Sequence, residues 1–230
     1  MNIAIIPARG GSKRIPRKNI KDFNGKPMIA WSIETALTSG CFDEVIVSTD
    51  DDEISKIATQ WGARVPFKRP AHLSGDTIGT MPVIKHALEW FDSQGDSPEH
   101  VCCIYPTAPM LPPSVLVDAY HRLVESGSKF CFGVSHYGHP IQRALRMDAS
   151  GQLSMFSPEH ALTRSQDLEA AFHDAGQFCW GTRAAFLDGR SPLTQDSVAV
   201  LLPRYRAVDI DTLEDWELAE SLYAALTLRA

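Results

Sequence analysis

The chain has 230 residues, 44% hydrophobic and 22% charged, with a formal net charge of −6. That composition suits an ordinary globular chain and excludes gross disorder, and the acidic balance argues against a general nucleic-acid binder. No apolar run reaches the length of a membrane span, and Met1 leads straight into a strand pattern without a signal peptide, so no membrane partner and a cytoplasmic location are expected.

The predicted elements alternate along the chain. Ile3 to Ile6 reads as a short buried strand, followed by a glycine turn and a burst of positive charge. Met28 to Ser39 reads as a helix, with Ile29, Ile33, Ala36 and Leu37 at helical spacing. Strands follow at Val45 to Ser48, Val65 to Phe67, Val101 to Tyr105, Phe130 to Ser135 and Val198 to Leu202. Helical patterns at Asp52 to Gln60, Met81 to Phe91 and Pro113 to Glu125 lie among them, and a last helix follows Thr212. Strands separated by helices imply βαβ units and an α/β fold with a mostly parallel sheet flanked by helices. Length and pattern fit one domain over 1–230. Such sheets bind ligands outside the carboxyl ends of their strands, and Arg9, Asp50 and Thr107 fall on that edge. One segment breaks the rhythm. Arg143 to Met147, the turn Asp148 to Gly151 and Gln152 to Phe156 read as a β-hairpin, opening an irregular stretch that runs to about Gln177. The five cysteines, Cys41, Cys102, Cys103, Cys131 and Cys179, show no metal-ligand spacing and read as reduced, mostly buried thiols.

The charge burst carries the chemistry. Seven Lys or Arg lie between positions 9 and 26 against one acid, Asp22. Gly10 and Gly11 let the backbone take unusual conformations close to a ligand, and successive amides of such a turn make an anion-binding concavity. Arg9 offers a planar fork for phosphate, and Lys13 and Lys18 offer point charges. The spacing is neither a Walker A loop nor GxGxxG, so a dinucleotide is not expected. The pattern is that of a triphosphate site.

Two acidic groups accompany it. Asp209 and Asp211 lie two apart, and in an extended segment they share one side and can hold Mg²⁺, or Mn²⁺, against substrate phosphates. Thr212 to Asp215 also reads as a capping box for the last helix, and both roles are compatible. Asp50-Asp51-Asp52, at a strand-to-helix turn, reads as structural, favouring the positive end of the helix that follows.

Pro7-Ala8-Arg9-Gly10-Gly11-Ser12-Lys13, continuing to Ile15-Pro16 and Lys18-Asn19, resembles the opening of the sialic acid cytidylyltransferases, also called CMP-acylneuraminate synthetases. Phe67-Lys68-Arg69-Pro70 with Leu73, Ser74 and Asp76, then Tyr105 to Pro109, then Asp209-Ile210-Asp211-Thr212, are similar to its later blocks. The resemblance implies a Rossmann-like sheet of the nucleotide-diphospho-sugar transferase type. It implies a nonulosonic acid whose anomeric hydroxyl attacks the α-phosphate of CTP and expels pyrophosphate. Arg9, Ser12 and Lys18 would then hold the triphosphate, Ala8, Asn19, Arg69 and Thr80 the cytidine, and Asp209 and Asp211 the metal, with Arg9, Lys18 and Asp211 the catalytic set. The base that takes the hydroxyl proton is left open. The resemblance also makes the insertion at about 136–177 an arm that reaches a second subunit of a homodimer.

The departures bear on the sugar. Tyr105 stands where the sialic acid enzymes usually carry a Gln that meets the sugar, and His173 to Gly181 replaces their Asn-Gly-Ala stretch. These changes, with His139 to Arg143 and Thr163 to Leu168, resemble the pseudaminic acid branch, which implies flagellar or surface glycan decoration. Tyr105, Arg164, Gln166 and Gln177 are the candidate sugar contacts, Arg164 because its fork suits a carboxylate. Alternatives are N-acetylneuraminic acid, legionaminic acid or an eight-carbon acid as substrate, or a nucleotide binder without turnover.

Overall fold

The computed structural model describes residues 1–228. Its centre is a six-stranded sheet, in the spatial order β10 (Ser197–Leu201), β6 (Phe130–His136), β9 (Phe172–Thr182), β5 (His100–Ile104), β1 (Asn2–Pro7) and β4 (Glu44–Ser48). The first half of the chain builds β1 (Asn2–Pro7), the short pair β2 (Asp22–Phe23) and β3 (Lys26–Pro27), α1 (Met28–Ser39), β4 (Glu44–Ser48), α2 (Asp52–Gln60), α3 (Thr80–Ser93), β5 (His100–Ile104) and α4 (Pro113–Ser126). The second half builds β6 (Phe130–His136), the hairpin β7 (Leu145–Met147) and β8 (Leu153–Met155), β9 (Phe172–Thr182), α5 (Arg183–Leu187), β10 (Ser197–Leu201) and α6 (Leu213–Thr227).

The strands alternate their side chains between two helical layers, as the pleat requires. Ala4 and Ile6 of β1 join Ile29 and Ile33 of α1, Ile54 of α2 and Leu116 of α4 on one face. Ile3 and Ile5 join Ile84, Leu88 and Phe91 of α3 and Phe186 of α5 on the other. A strand buried on both faces reads as an unbroken apolar run, which is why Ile3 to Ile6 was legible. Each fully buried Ile or Phe contributes roughly 1.5–3 kcal/mol. A third cluster packs Trp216 and Ala219 of α6 under Ile15, Phe23 and Met28, pinning the last helix beneath the basic loop.

The expected α/β class holds, with two corrections. Val65 to Phe67 is not a strand: only Arg64 and Lys68, on either side of it, make isolated bridges, to Ile46 and Thr49. The run is too short to pair along β4. The larger correction is β9, which enters the sheet antiparallel to both β5 and β6. Asp174, Gly176 and Gly181 interrupt its apolar pattern, so no periodicity announces it. Gly181 is required by packing: a Cβ there would lie 2.6 Å from Phe130 and 2.7 Å from Phe186, whose rings meet edge to face. The predicted hairpin is present, shorter at each end, as a separate two-stranded sheet. No described helix is long and apolar enough to cross a membrane, and Cys41, Cys102, Cys103, Cys131 and Cys179 are all free.

Candidate active site

The parallel strands β1, β4 and β5 end side by side, and the segments that leave β1 and β5, with Arg69, the start of α3 and Asp211, enclose a cleft of ≈ 240 Å³. Residues singled out from sequence line it, among them Arg9, Ser12, Lys18, Asn19, Arg69, Thr80, Tyr105 and Asp211. Lys13, Arg14, Ile78 and Thr107 complete much of the wall.

Each cation is held by a carboxylate or a carbonyl. Lys18 donates from Nζ to the Ile210 carbonyl at 2.5 Å and lies 3.3 Å from Asp211 Oδ1. Arg14 meets the other Asp211 oxygen at 2.8 Å. Arg9 and Lys13 both pair with Asp76, which stands on the segment leading into α3. These pairs are half-exposed, where an ion pair contributes only about 0–1 kcal/mol, so an incoming polyanion can displace them. Arg69 is different. It is buried, its Nε donates to Ser48 Oγ at 3.1 Å, and its Nη2 donates to the Ser48 carbonyl. Burial lowers the guanidinium to about 10, with Asp50 offsetting part of the shift, so it remains charged at neutral pH. Asn19, also buried, donates to the Arg9 carbonyl at 3.0 Å and braces the turn across its mouth.

The glycine turn works differently from the expectation. Gly10 and Gly11 are not among the residues lining the cleft. The Gly10 amide donates to Asp50 Oδ1 at 3.1 Å, and the Ser12 amide donates back to the Gly10 carbonyl, so these donors are not aimed at a ligand. Gly10 must lack a Cβ because one would sit 2.7 Å from Asp51 Oδ2. Gly10 thus serves packing, and the side-chain cations line the cleft. Ala8 is likewise buried behind the wall, its amide bonded to the Ser48 carbonyl.

On the far wall, Tyr105 faces Thr80 across the cleft lining; the neighbouring Cys103 sulfur and burial push the phenol's pKa up, so it stays neutral. Burial pushes the Cys103 thiol up to about 12, which removes it as a nucleophile. Gln177 stands behind this wall: it is buried, its Nε2 donates to the Arg206 carbonyl, and its own carbonyl accepts from the Tyr105 amide at 2.8 Å. Its Oε1 is buried without a partner among the described residues. Arg164 and Gln166 are not brought to this cleft. They are exposed beyond the hairpin, with Arg164 paired to Asp167 at 2.7 Å.

Asp209 lies beside the cleft rather than in its lining. Burial on its inner side, then repulsion from Asp211, raises its carboxylate above the ordinary range, with Lys18 pulling the other way. Two mutually repelling carboxylates beside a cluster of cations have the chemistry to hold a divalent cation that takes its remaining ligands from elsewhere. No group of three or more His, Cys, Asp or Glu able to hold a metal occurs among the described residues. Thr212 closes the predicted capping box with Asp215, which also accepts from the Asp211 amide and so fixes the acidic pair at the start of α6. The pairing of Arg14 with Asp211, and of Asp51 with Arg17, had no sequence signal beyond charge.

A family model described as cytidylyltransferase matches residues 3–222. The chain is 48% identical over 222 residues, 96% of each chain, to the pseudaminic acid cytidylyltransferase of Campylobacter jejuni subsp. jejuni serotype O:2. It is 32% identical to the CMP-N,N'-diacetyllegionaminic acid synthase of Legionella pneumophila subsp. pneumophila, over 96% of this chain and 95% of that one. The solved structure of CMP:2-keto-3-deoxy-manno-octonic acid synthetase complexed with CTP shares the fold, with a TM-score of 0.69 at 17% identity, over 97% of this chain and 98% of that one.

Proposed function

The chain belongs to the cytidylyltransferase family, and from that membership we propose that it couples CTP to pseudaminic acid, forming CMP-pseudaminic acid and pyrophosphate. The observation that carries the reaction is the convergence of Arg9, Lys18 and the buried Arg69 on one cleft at the sheet edge. The end-to-end similarity to the Campylobacter enzyme favours this sugar. The oxygen of the anomeric hydroxyl attacks the α-phosphorus and gives its proton to solvent, the bond from that phosphorus to the bridging oxygen breaks, and pyrophosphate leaves with both electrons. Such a transfer needs mainly positioning and charge neutralisation. Arg9, Ser12 and Lys18 grip the triphosphate and offset the charge gathering on the leaving group. Arg69, with Asn19 and Thr80, faces the nucleoside, and Tyr105 offers the sugar an apolar ring with a hydroxyl donor. Mg²⁺, or Mn²⁺, would be held by Asp209 and Asp211 and would supply neutralisation of phosphate charge.

A cleft of ≈ 240 Å³ is small beside the roughly 300–1,000 Å³ of ligand pockets, so it does not enclose CTP and the sugar together. We assign the part of the site left outside it to a second copy of the chain. Arg164 and Gln166, unused by their own cleft, lie on an arm whose Tyr137, Leu145, Met147, Leu153, Phe156 and Leu162 are exposed. Apolar surface of that kind marks an interaction site. Five free thiols suit a reducing compartment such as the cytoplasm, with the product serving surface or flagellar glycans.

The test is pyrophosphate release with CTP and Mg²⁺ against pseudaminic, legionaminic and N-acetylneuraminic acids. Turnover with pseudaminic acid alone is expected. Turnover with another acid would overturn the sugar and keep the chemistry; CTP binding with no turnover would point to a nucleotide binder.

A further inference from the structure

Of the cations between Arg9 and Lys18, Arg17 is turned away from the cleft. It meets Asp51 with both forks, Nη1 to Oδ2 at 2.5 Å and Nη2 to Oδ1 at 2.9 Å, and also reaches Glu53 at 2.6 Å. Arg17 holds a left-handed conformation, φ 57°, which is unfavourable for a residue with a side chain. It is the joint between the glycine turn and the short helical turn Lys18–Ile20 that carries Lys18 and Asn19. Its carbonyl accepts from the Ile20 and Lys21 amides at 2.9 and 3.0 Å.

The same Asp51 touches the front of the loop, because its Oδ2 occupies the space a Cβ on Gly10 would need. Asp50 takes the Gly10 amide. Asp51 is itself fixed to the sheet side of the site, because its Oδ1 caps α2 through the Glu53 and Ile54 amides at 3.0 and 2.9 Å. One carboxylate therefore joins the entry of the loop at Gly10, its exit at Arg17 and the start of α2. Arg17 holds the Asp51 carboxyl down at about 2, so the pair is charged throughout the working range.

We propose that the Arg17–Asp51 pair is a strut that positions the phosphate-gripping cations, so that it governs CTP affinity without touching CTP. The inference rests on reading this cleft as the CTP site. Lys18 follows Arg17 directly, and Arg9 precedes Gly10, so the two ends of the strut set the two cations that flank the triphosphate.

Three variants separate the strut from mere folding. Asp51→Asn keeps a good cap for α2 but loses the charge that binds the guanidinium. Arg17→Gly keeps the left-handed conformation at no steric cost but loses the fork. Arg17→Lys keeps a charge without the two-point contact. CTP binding is measured by calorimetry without sugar, alongside KM for each substrate and melting temperature. The strut predicts CTP affinity lower by about tenfold in Asp51→Asn and Arg17→Gly, the scale of a charged hydrogen bond. It predicts a sugar KM within twofold, partial recovery in Arg17→Lys, and a double variant no worse than either single one. CTP affinity within twofold of wild type in both single variants would overturn it. So would equal rises of both KM values with a collapsed melting temperature. Wild-type protein that binds no CTP would instead overturn the reading of the cleft itself.

Discussion

The loop from Arg9 to Asn19 and the arm from Tyr137 to Phe172 are both irregular, yet the chain treats them in opposite ways. The loop is tied at every step: Arg9 to Asp76, Arg14 and Lys18 to Asp211, Arg17 to Asp51, Asn19 to the Arg9 carbonyl, and Ile15 into the cluster under α6. The arm is tied to itself. Its hairpin pairs β7 with β8, Arg143 donates to the Thr163 carbonyl, and Arg164 meets Asp167. Its apolar side chains stay out, with Met147 70% and Leu162 96% exposed. A polyanion site built in advance needs its cations held where charge will arrive, because preorganised groups cost no reorganisation at that moment. An arm made for another surface needs the reverse, apolar residues left free until that surface appears. On the proposed reading, the loop is the nucleotide half of a site and the arm would supply part of a neighbour's.

The difference can be broken at either region. The largest effect is expected at the loop: Lys18→Ala should lower kcat/KM by about 10²–10³-fold, measured as pyrophosphate release, with an unchanged melting temperature. Arg164→Ala should raise the sugar KM by about tenfold or more, the worth of a charged pair, and leave CTP affinity within twofold. A matched loss of CTP affinity would put the arm in the nucleotide site. Tyr105→Gln should cut pseudaminic acid turnover by about tenfold and admit N-acetylneuraminic acid, the scale of one side-chain contact. No gain, with the native turnover untouched, would remove Tyr105 from sugar selection.

Smaller effects concern stability. Asp51 sits at about 2 when folded, against ~3.9 when unfolded. A depressed carboxylate stabilises the fold above ~3.9 and loses that contribution as pH falls towards 2. Melting temperature in wild type should therefore drop more steeply than in Asp51→Asn between roughly pH 5 and pH 2. Parallel curves would show that the pair adds nothing to stability. Met147→Lys with Phe156→Glu should shift the protein towards monomer in sedimentation, while monomer stability changes by about 0.5 kcal/mol or less.

What the sequence revealed followed the same division. The βαβ rhythm was legible because strands buried on both faces are unbroken apolar runs, and α1 and α2 matched their expected bounds. The cation-bearing loop was legible because its charge stands out from an acidic chain. Antiparallel β9 was not, because Gly176 and Gly181 serve close packing and turn geometry rather than periodicity. Nor was the role of the acidic run. Asp50 to Asp52 reads as acids favouring the positive end of α2, and Asp51 caps that helix, but its second task toward Gly10 and Arg17 depends on residues 34 or more positions away. Gln177 was singled out for the sugar; it is buried next to Tyr105 in the sheet, with its Nε2 on the Arg206 carbonyl, a placement periodicity does not signal.

Mixing two broken chains tests the central claim directly. Lys18→Ala protein lacks a working cleft and keeps its arm; Arg164→Ala protein keeps its cleft and lacks the arm's fork. If each arm serves its neighbour, subunit exchange between the two impaired proteins, assayed with sugar well below its wild-type KM, should raise activity above the mean of the two towards about one quarter of wild type, because half of the twofold pairs are mixed and each holds one intact site. Activity that stays at the mean of the separate variants after exchange would show that the arm does not complete a neighbour's site.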